Sequence, residues 1–282
     1  MNPVATFVIL GDSAAAGTGD ADKNGTLRGW GFYLAQHFNQ PLVYANLSRP
    51  GAQSSEVLID QLPKAIILEP TLTAVIVGGN DALRNGFNPL LLQRNLRQTL
   101  KALREIGSEI MLLQLHEPTQ IAPLPKTLGS IINRRMDSVN AVVRAVGAEF
   151  GAHILAVRDI PDIYERNRWH VDRMHPSKFG HQILAQNFRE LLSPNWDIAP
   201  VTIEPIISRA RKDTLLWMLR HATPWFIKRS VDLLPAALLL VLSEYLKILT
   251  GRDRHFQVQS YFPEFVNNRE AGIALVAEVR IS

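Results

Sequence analysis

Cysteine is absent from all 282 residues. That excludes disulfide bridges, a thiol nucleophile and thiolate metal centres. Long apolar runs are missing as well. No stretch of about 18 uncharged apolar residues occurs, the length a membrane-spanning helix needs. The longest candidate, Leu233 to Leu242, is short and carries Pro235. No Lys or Arg precedes Lys23, and no apolar core precedes a cleavage site, so no signal peptide is expected and the expected location is cytoplasmic. Charge of one sign is also scarce. Thirty Lys and Arg face 26 Asp and Glu, a net +4, too little to argue for a nucleic-acid partner without a clustered patch. No Gly-x-Gly-x-x-Gly follows the first apolar run, and neither a Walker-type Gly-Lys-Ser/Thr nor a His-Glu-x-x-His is present. No cofactor and no catalytic metal are expected.

What is present reads as a globular α/β chain. Hydrophobic residues make up 46% and charged residues 20%, ordinary values for a packed domain. Short β-branched runs alternate with longer amphipathic segments. Strands are expected at Thr6–Leu10, Leu42–Ala45, Leu72–Val77, Glu109–Leu115 and His153–Val157. Helices are expected at Gly31–Asn39, Ser54–Gln61 with Ser54 as N-cap, Pro89–Ile106 stopped by Gly107, Ile131–Phe150 and Lys178–Leu192. This alternation implies a parallel sheet covered on both faces, with ligands beyond the carboxyl ends of its strands. After about residue 197 the pattern changes: prolines interrupt two apolar helical stretches near 214–221 and 233–249, and 273–281 has strand character. The chain therefore divides into a domain at 1–197 and a mainly helical extension at 198–282.

The polar residues after the strands carry the chemistry. Gly11-Asp12-Ser13 ends the first run, Asn46 to Gly51 follows the second, Gly78-Gly79-Asn80-Asp81 the third, and Asp172-Arg-Met-His175 lies beyond the fifth. A serine hydroxyl attacks an acyl carbonyl only when a base takes its proton, and His175 can be that base for Ser13. Asp172 can hold the imidazole tautomer from three residues away. The oxyanion of a tetrahedral intermediate needs preplaced donors, and the Ser13 and Gly51 N–H groups and the Asn80 amide suit it. Glycine at 51 lets the backbone come close.

These four blocks resemble those of the SGNH (GDSL) hydrolases. Over about the first 190 residues the resemblance implies a flavodoxin-like three-layer α/β/α fold, with a five-stranded parallel sheet in the order 2-1-3-4-5. It implies an esterase or lipase acting through an acyl-enzyme on an acyl ester. Ser13 would be the nucleophile, His175 the base, Asp172 the orienting acid, and Ser13, Gly51 and Asn80 the oxyanion hole. Ala14 stands where the family name has Leu. Thr223-Pro-Trp225 and Asp232-Leu-Leu-Pro235 resemble the tails of actinobacterial members.

Other residues have plainer readings. Asp12 and Asp81 are expected to cap helices or brace loops, and Asn46 to brace the loop carrying Gly51. His116, Trp169 and His170 are candidates for lining the substrate pocket, with ordinary loop packing as the equal alternative. His37, His153, His181, His221 and His255 join no constellation and are read as packing or surface residues. In the extension, Trp217, Trp225 and Phe226 lie among Arg220, Lys228 and Arg229. Three readings stand open: packing on the domain, self-association, or contact with an anionic membrane surface. A non-catalytic interaction protein on the same scaffold is the alternative to the hydrolase.

Overall fold

The computed structural model describes residues 4–122 and 124–204, with positions 242, 246 and 250 beyond them. The basic aromatic segment and the expected strand at 273–281 lie outside the described residues, as do His221 and His255. So do the two expected tail helices, apart from Leu242 and Leu246, which are helical and exposed.

Five parallel strands form one sheet: β1 (Ala5–Gly11), β2 (Leu42–Asn46), β3 (Leu72–Ile76), β4 (Glu109–Gln114) and β5 (His153–Ala156). Their spatial order is β2-β1-β3-β4-β5, as expected, with β3 central and every one of its residues buried. A parallel strand covered on both faces has no solvent side, so it reads as an unbroken apolar run. On one face α2 (Gly29–Ala35) packs against α8 (Lys178–Leu192), where the Trp30 and Phe188 rings lie 4.5 Å apart. On the other lie α6 (Pro89–Glu105) and α7 (Lys126–Glu149). Asn88 caps α6 by accepting from the Leu90 N–H at 3.2 Å. Its buried Leu92, Leu96, Leu100 and Leu103 recur at helical spacing. Each contributes about 1.5–3 kcal/mol on burial.

The crossover from β2 to β3 departs from expectation. Its helix does not end at Gln61. It runs as α3 (Ser54–Glu56), a π-helical turn (Val57–Gln61) and α4 (Leu62–Ile67). Pro63 does not break it, because the first turn of α4 needs no N–H there. The cap is Gln53 and not Ser54: Gln53 and Glu56 close a reciprocal capping box. Residues 36–39 leave the helix expected there, and α7 starts five residues before the expected Ile131. Two short helices after strands are additional, α1 (Ser13–Ala16) and α5 (Gly79–Leu83).

Gly11 makes the turn from β1 into α1. Its φ is +144°, and a Cβ there would lie 2.0 Å from the Ile76 carbonyl oxygen, so only glycine fits. Residues 198–204 continue along the domain. Ile198 bridges Phe38, and the Val201 N–H donates to Gln186 at 2.9 Å. Among the described residues, no helix is long and apolar enough to cross a membrane.

Candidate active site

Ser13 is the first residue of α1, directly beyond β1. Asp12 caps that helix, accepting from the Ala14 N–H at 3.0 Å, the capping role expected of it. His175 comes from the loop between β5 and α8. Its Nε2 lies 2.7 Å from Ser13 Oγ, and its Nδ1 lies 2.9 Å from Asp172 Oδ2. The structure thus brings the three residues into one hydrogen-bonded row across 162 residues of chain. The Asp172 Oδ1 oxygen accepts the Met174 and His175 N–H groups, which turns the loop back on itself. Arg173 sits at the tip with φ +56°. The serine and histidine loops also touch directly: a Cβ on Gly19 would lie 2.1 Å from the Pro176 carbonyl oxygen.

Burial alone would raise the Asp172 carboxyl. The nearby His170 ring, the His175 hydrogen bond and the His175 charge outweigh it and hold the group far below the usual carboxylate range. The second histidine, His170, places Nδ1 3.1 Å from Asp172 Oδ2, the same oxygen that faces His175. Asp172 is therefore an anion in this site at neutral pH. His116 is the opposite case. Burial pushes it down to about 3, with the Arg158 and His175 charges adding to the effect, so its ring stays neutral. It lies 4.3 Å from the Trp169 ring, which is itself buried with Nε1 donating to the Ile163 carbonyl at 2.6 Å.

Three donors lie at the other strand ends. Asn80 is on α5, where its Nδ2 donates to the Ala52 carbonyl at 3.1 Å, one residue past Gly51. That uses one of its two N–H bonds. Gly51 has φ +87° with open space where a Cβ would project. Among the described residues, neither the Ser13 nor the Gly51 N–H meets an acceptor. Two braces hold this arrangement. Asp81 accepts both the N–H and the hydroxyl of Ser54, and Asn46 donates to the Ala15 carbonyl while accepting from Ser48 N–H. A groove of about 410 Å³ opens beside Asp81, with a mixed wall to which Ser54, Arg84, Phe87, Asn88 and Leu91 contribute.

Two contacts were not visible in the sequence. Gln61, from the π-helical turn, pairs with the backbone of Gly11. His181, expected to be an ordinary packing residue, is fully buried behind the site. Its Nδ1 accepts the Trp30 N–H at 3.3 Å and its Nε2 donates to the Thr18 carbonyl at 3.0 Å. A lone glutamine or histidine on a helix carries no pattern that would announce such a partner.

Two buried groups give stability opposite slopes in pH. Burial pushes Asp12 up to about 6 from 3.8, with Asp81 adding to the rise and the Ala14 N–H and His175 charge opposing it. The folded state then binds more protons than the unfolded one between about pH 4 and 6, so this contribution to stability falls as pH rises. Burial pushes His181 down to about 4. There the unfolded state holds the extra proton up to its ordinary value near 6.5, and the contribution rises with pH. Asp12→Asn keeps the cap acceptor and removes the first slope. We expect it to be more stable than wild type by about 3 kcal/mol above pH 6, the gain vanishing near pH 4. Thermal melts from pH 4 to 8 measure it, and a difference independent of pH would contradict the assignment.

A parallel sheet of this order, with serine, histidine and aspartate in a row beyond its carboxyl edge, defines an SGNH-type hydrolase. Residues 9–183 match the model of the GDSL-like Lipase/Acylhydrolase family, and the chain belongs to that family. It is a carboxylic ester hydrolase. Its relatives include the thioesterase 1/protease 1/lysophospholipase L1 of Escherichia coli, 27% identical over 67% of this chain and 84% of that protein. A GDSL lipase of Mycobacterium tuberculosis is 28% identical over 68% of this chain and 82% of that protein. The solved structure of TesA is 25% identical with a TM-score of 0.54, covering 67% of this chain and 98% of that one. An acetyl-xylooligosaccharide esterase from Geobacillus shares the fold at 17% identity, with a TM-score of 0.55 over 75% of this chain and all of that one.

Proposed function

We propose that the chain hydrolyses carboxylic esters in two steps through an acyl group on Ser13. The observation that carries this reading is the unbroken row Asp172–His175–Ser13, with both links within hydrogen-bond reach. His175 Nε2 takes the hydroxyl proton as Ser13 Oγ bonds to the ester carbonyl carbon. The carbonyl electrons move to oxygen, where the Ser13 and Gly51 N–H groups and the remaining Asn80 N–H receive them. Each such donor is worth about 2.7–4 kcal/mol to the transition state. The imidazolium then returns its proton to the leaving alcohol, and the acyl-enzyme remains. Water, deprotonated by the same nitrogen, attacks that acyl carbon; the bond to Ser13 Oγ then breaks, the imidazolium returns its proton to that oxygen, and the acid is freed. Asp172, ionised throughout, steadies the imidazolium in both halves.

Small to medium acyl esters fit best. Val171 and Met174 leave apolar surface exposed on the loop that carries His175, which gives an acyl chain a place to lie. His116, neutral against Trp169, adds an uncharged wall, and both are proposed as substrate-binding residues. The names of the relatives, thioesterase, lysophospholipase and lipase, agree with acyl transfer from a range of leaving groups. The extension after residue 197 is proposed to pack on the domain or to join two copies.

Two measurements test the reading. A fluorophosphonate probe should form one adduct, and mass spectrometry should find it on the peptide containing Ser13. A panel of p-nitrophenyl esters of graded chain length should show turnover that declines beyond medium chains. No adduct, or an adduct on another residue, would refute the assignment.

A further inference from the structure

Gln61 is 4% exposed and belongs to the π-helical turn, in which the Leu62 N–H reaches back five residues to the Val57 carbonyl. Its side-chain amide meets the backbone of one residue twice. Oε1 accepts the Gly11 N–H at 2.7 Å, and Nε2 donates to the Gly11 carbonyl at 2.9 Å. Gly11 needs such a partner. On the β2 side the chain beyond Asn46 still serves the Gly11 carbonyl, through the Arg49 N–H at 3.0 Å, but the acceptor that the Gly11 N–H meets is Gln61; on the other side Asp12 takes the Ile76 carbonyl. Gln61 therefore supplies the acceptor for the Gly11 N–H, and a second donor beside Arg49 for its carbonyl, at the point where β1 turns into α1. Gly11 itself cannot carry a side chain to brace that turn. Ser13 follows two residues later. A π turn adds one residue to a helix, and such bulges recur at functional sites. Here it brings the amide to face the strand end.

We infer that Gln61 is a positioning residue for the hydrolysis, holding the Gly11–Ser13 turn so that Ser13 Oγ stays in line with His175 Nε2. This rests on the reading of Ser13 as nucleophile. The amide touches no substrate, so its loss leaves binding alone and misplaces the attacking oxygen. A misplacement of about 1 Å costs on the order of 10²-fold in rate.

The test compares wild type, Gln61→Met and Gln61→Glu on a p-nitrophenyl ester, with the folded fraction checked by circular dichroism. Gln61→Met keeps the volume and removes both hydrogen bonds. It should lower kcat by about 10- to 100-fold with KM within about twofold. Gln61→Glu keeps the acceptor, and regains the donor only when its buried carboxyl is protonated. Its kcat relative to wild type should therefore rise as pH falls, a dependence that a general loss of packing would not give. Asp12, one residue past Gly11, titrates in both proteins and feels the new charge, so the Gln61→Glu ratio is read beside that of Gln61→Met, which adds none. Should Gln61→Met fail to fold, the Gln61→Glu ratio alone decides. A folded Gln61→Met with wild-type kcat, a change in KM only, or a Gln61→Glu ratio flat in pH overturns the inference. An inactive wild type that takes no fluorophosphonate overturns instead the reading on which it rests.

Discussion

Replacing His175 with alanine is expected to lower kcat for ester hydrolysis by about 10⁶-fold while leaving KM and the fold nearly unchanged. The ring sits in a loop, half-buried, and fills no core position. What it supplies is one nitrogen 2.7 Å from the Ser13 hydroxyl and another 2.9 Å from a carboxylate. Without it, Ser13 has no base, because among the described residues no other imidazole is hydrogen-bonded to its oxygen: His181 has both nitrogens committed to backbone groups. His116 faces Trp169 and is pushed down to about 3, too weak a base to substitute. The donors at Gly51 and Asn80 remain, so a residual rate above that of water should persist. Steady-state kinetics with a matched melting curve checks this. A variant within tenfold of wild type would remove His175 from the chemistry.

Some of this architecture is written in short sequence, and some is not. The parallel sheet was legible because five apolar runs alternate with amphipathic segments, as β3 and α6 illustrate, while the order of its strands came only with the resemblance to the SGNH hydrolases. The site residues were legible because each follows a strand: Ser13 after β1, Asn80 after β3, and the Asp172–His175 loop beyond β5. The continuation of the helix through Leu62–Ile67 was hidden by Pro63, which reads as a breaker until its place in the first turn is known. The cap at Gln53 was hidden because glutamine ranks low as a cap, and only the reciprocal bond to Glu56 makes it one. The Gln61 pairing with Gly11 spans 50 residues, and no local pattern encodes a contact of that range. His170 was read as a pocket-lining candidate. Its contact with Asp172 depends on how a six-residue loop closes, through the His170 N–H to the His175 carbonyl at 2.8 Å.

That loop makes Asp172→Asn the sharpest test of the arrangement. The carboxylate serves four groups. Oδ1 takes the Met174 and His175 N–H groups at 2.9 and 3.1 Å, and Oδ2 lies 2.9 Å from His175 Nδ1 and 3.1 Å from His170 Nδ1. Asparagine offers a single acceptor oxygen. With that oxygen kept for the two loop N–H groups, the loop survives, and the new amide presents its N–H to His175 Nδ1. The imidazole then accepts at Nδ1 and carries its proton on Nε2, where it points at Ser13 and cannot take the hydroxyl proton. The negative charge that would steady the imidazolium is gone as well. We expect kcat to fall by about 10⁴-fold, with KM and the melting temperature close to wild type. Nitrogen-15 spectra of the histidine rings should show the Nε2–H tautomer at His175 in the variant and the Nδ1–H tautomer in the wild type. A loss of less than tenfold, or an unchanged tautomer, would mean that Asp172 shapes the loop and leaves the ring to find its own orientation.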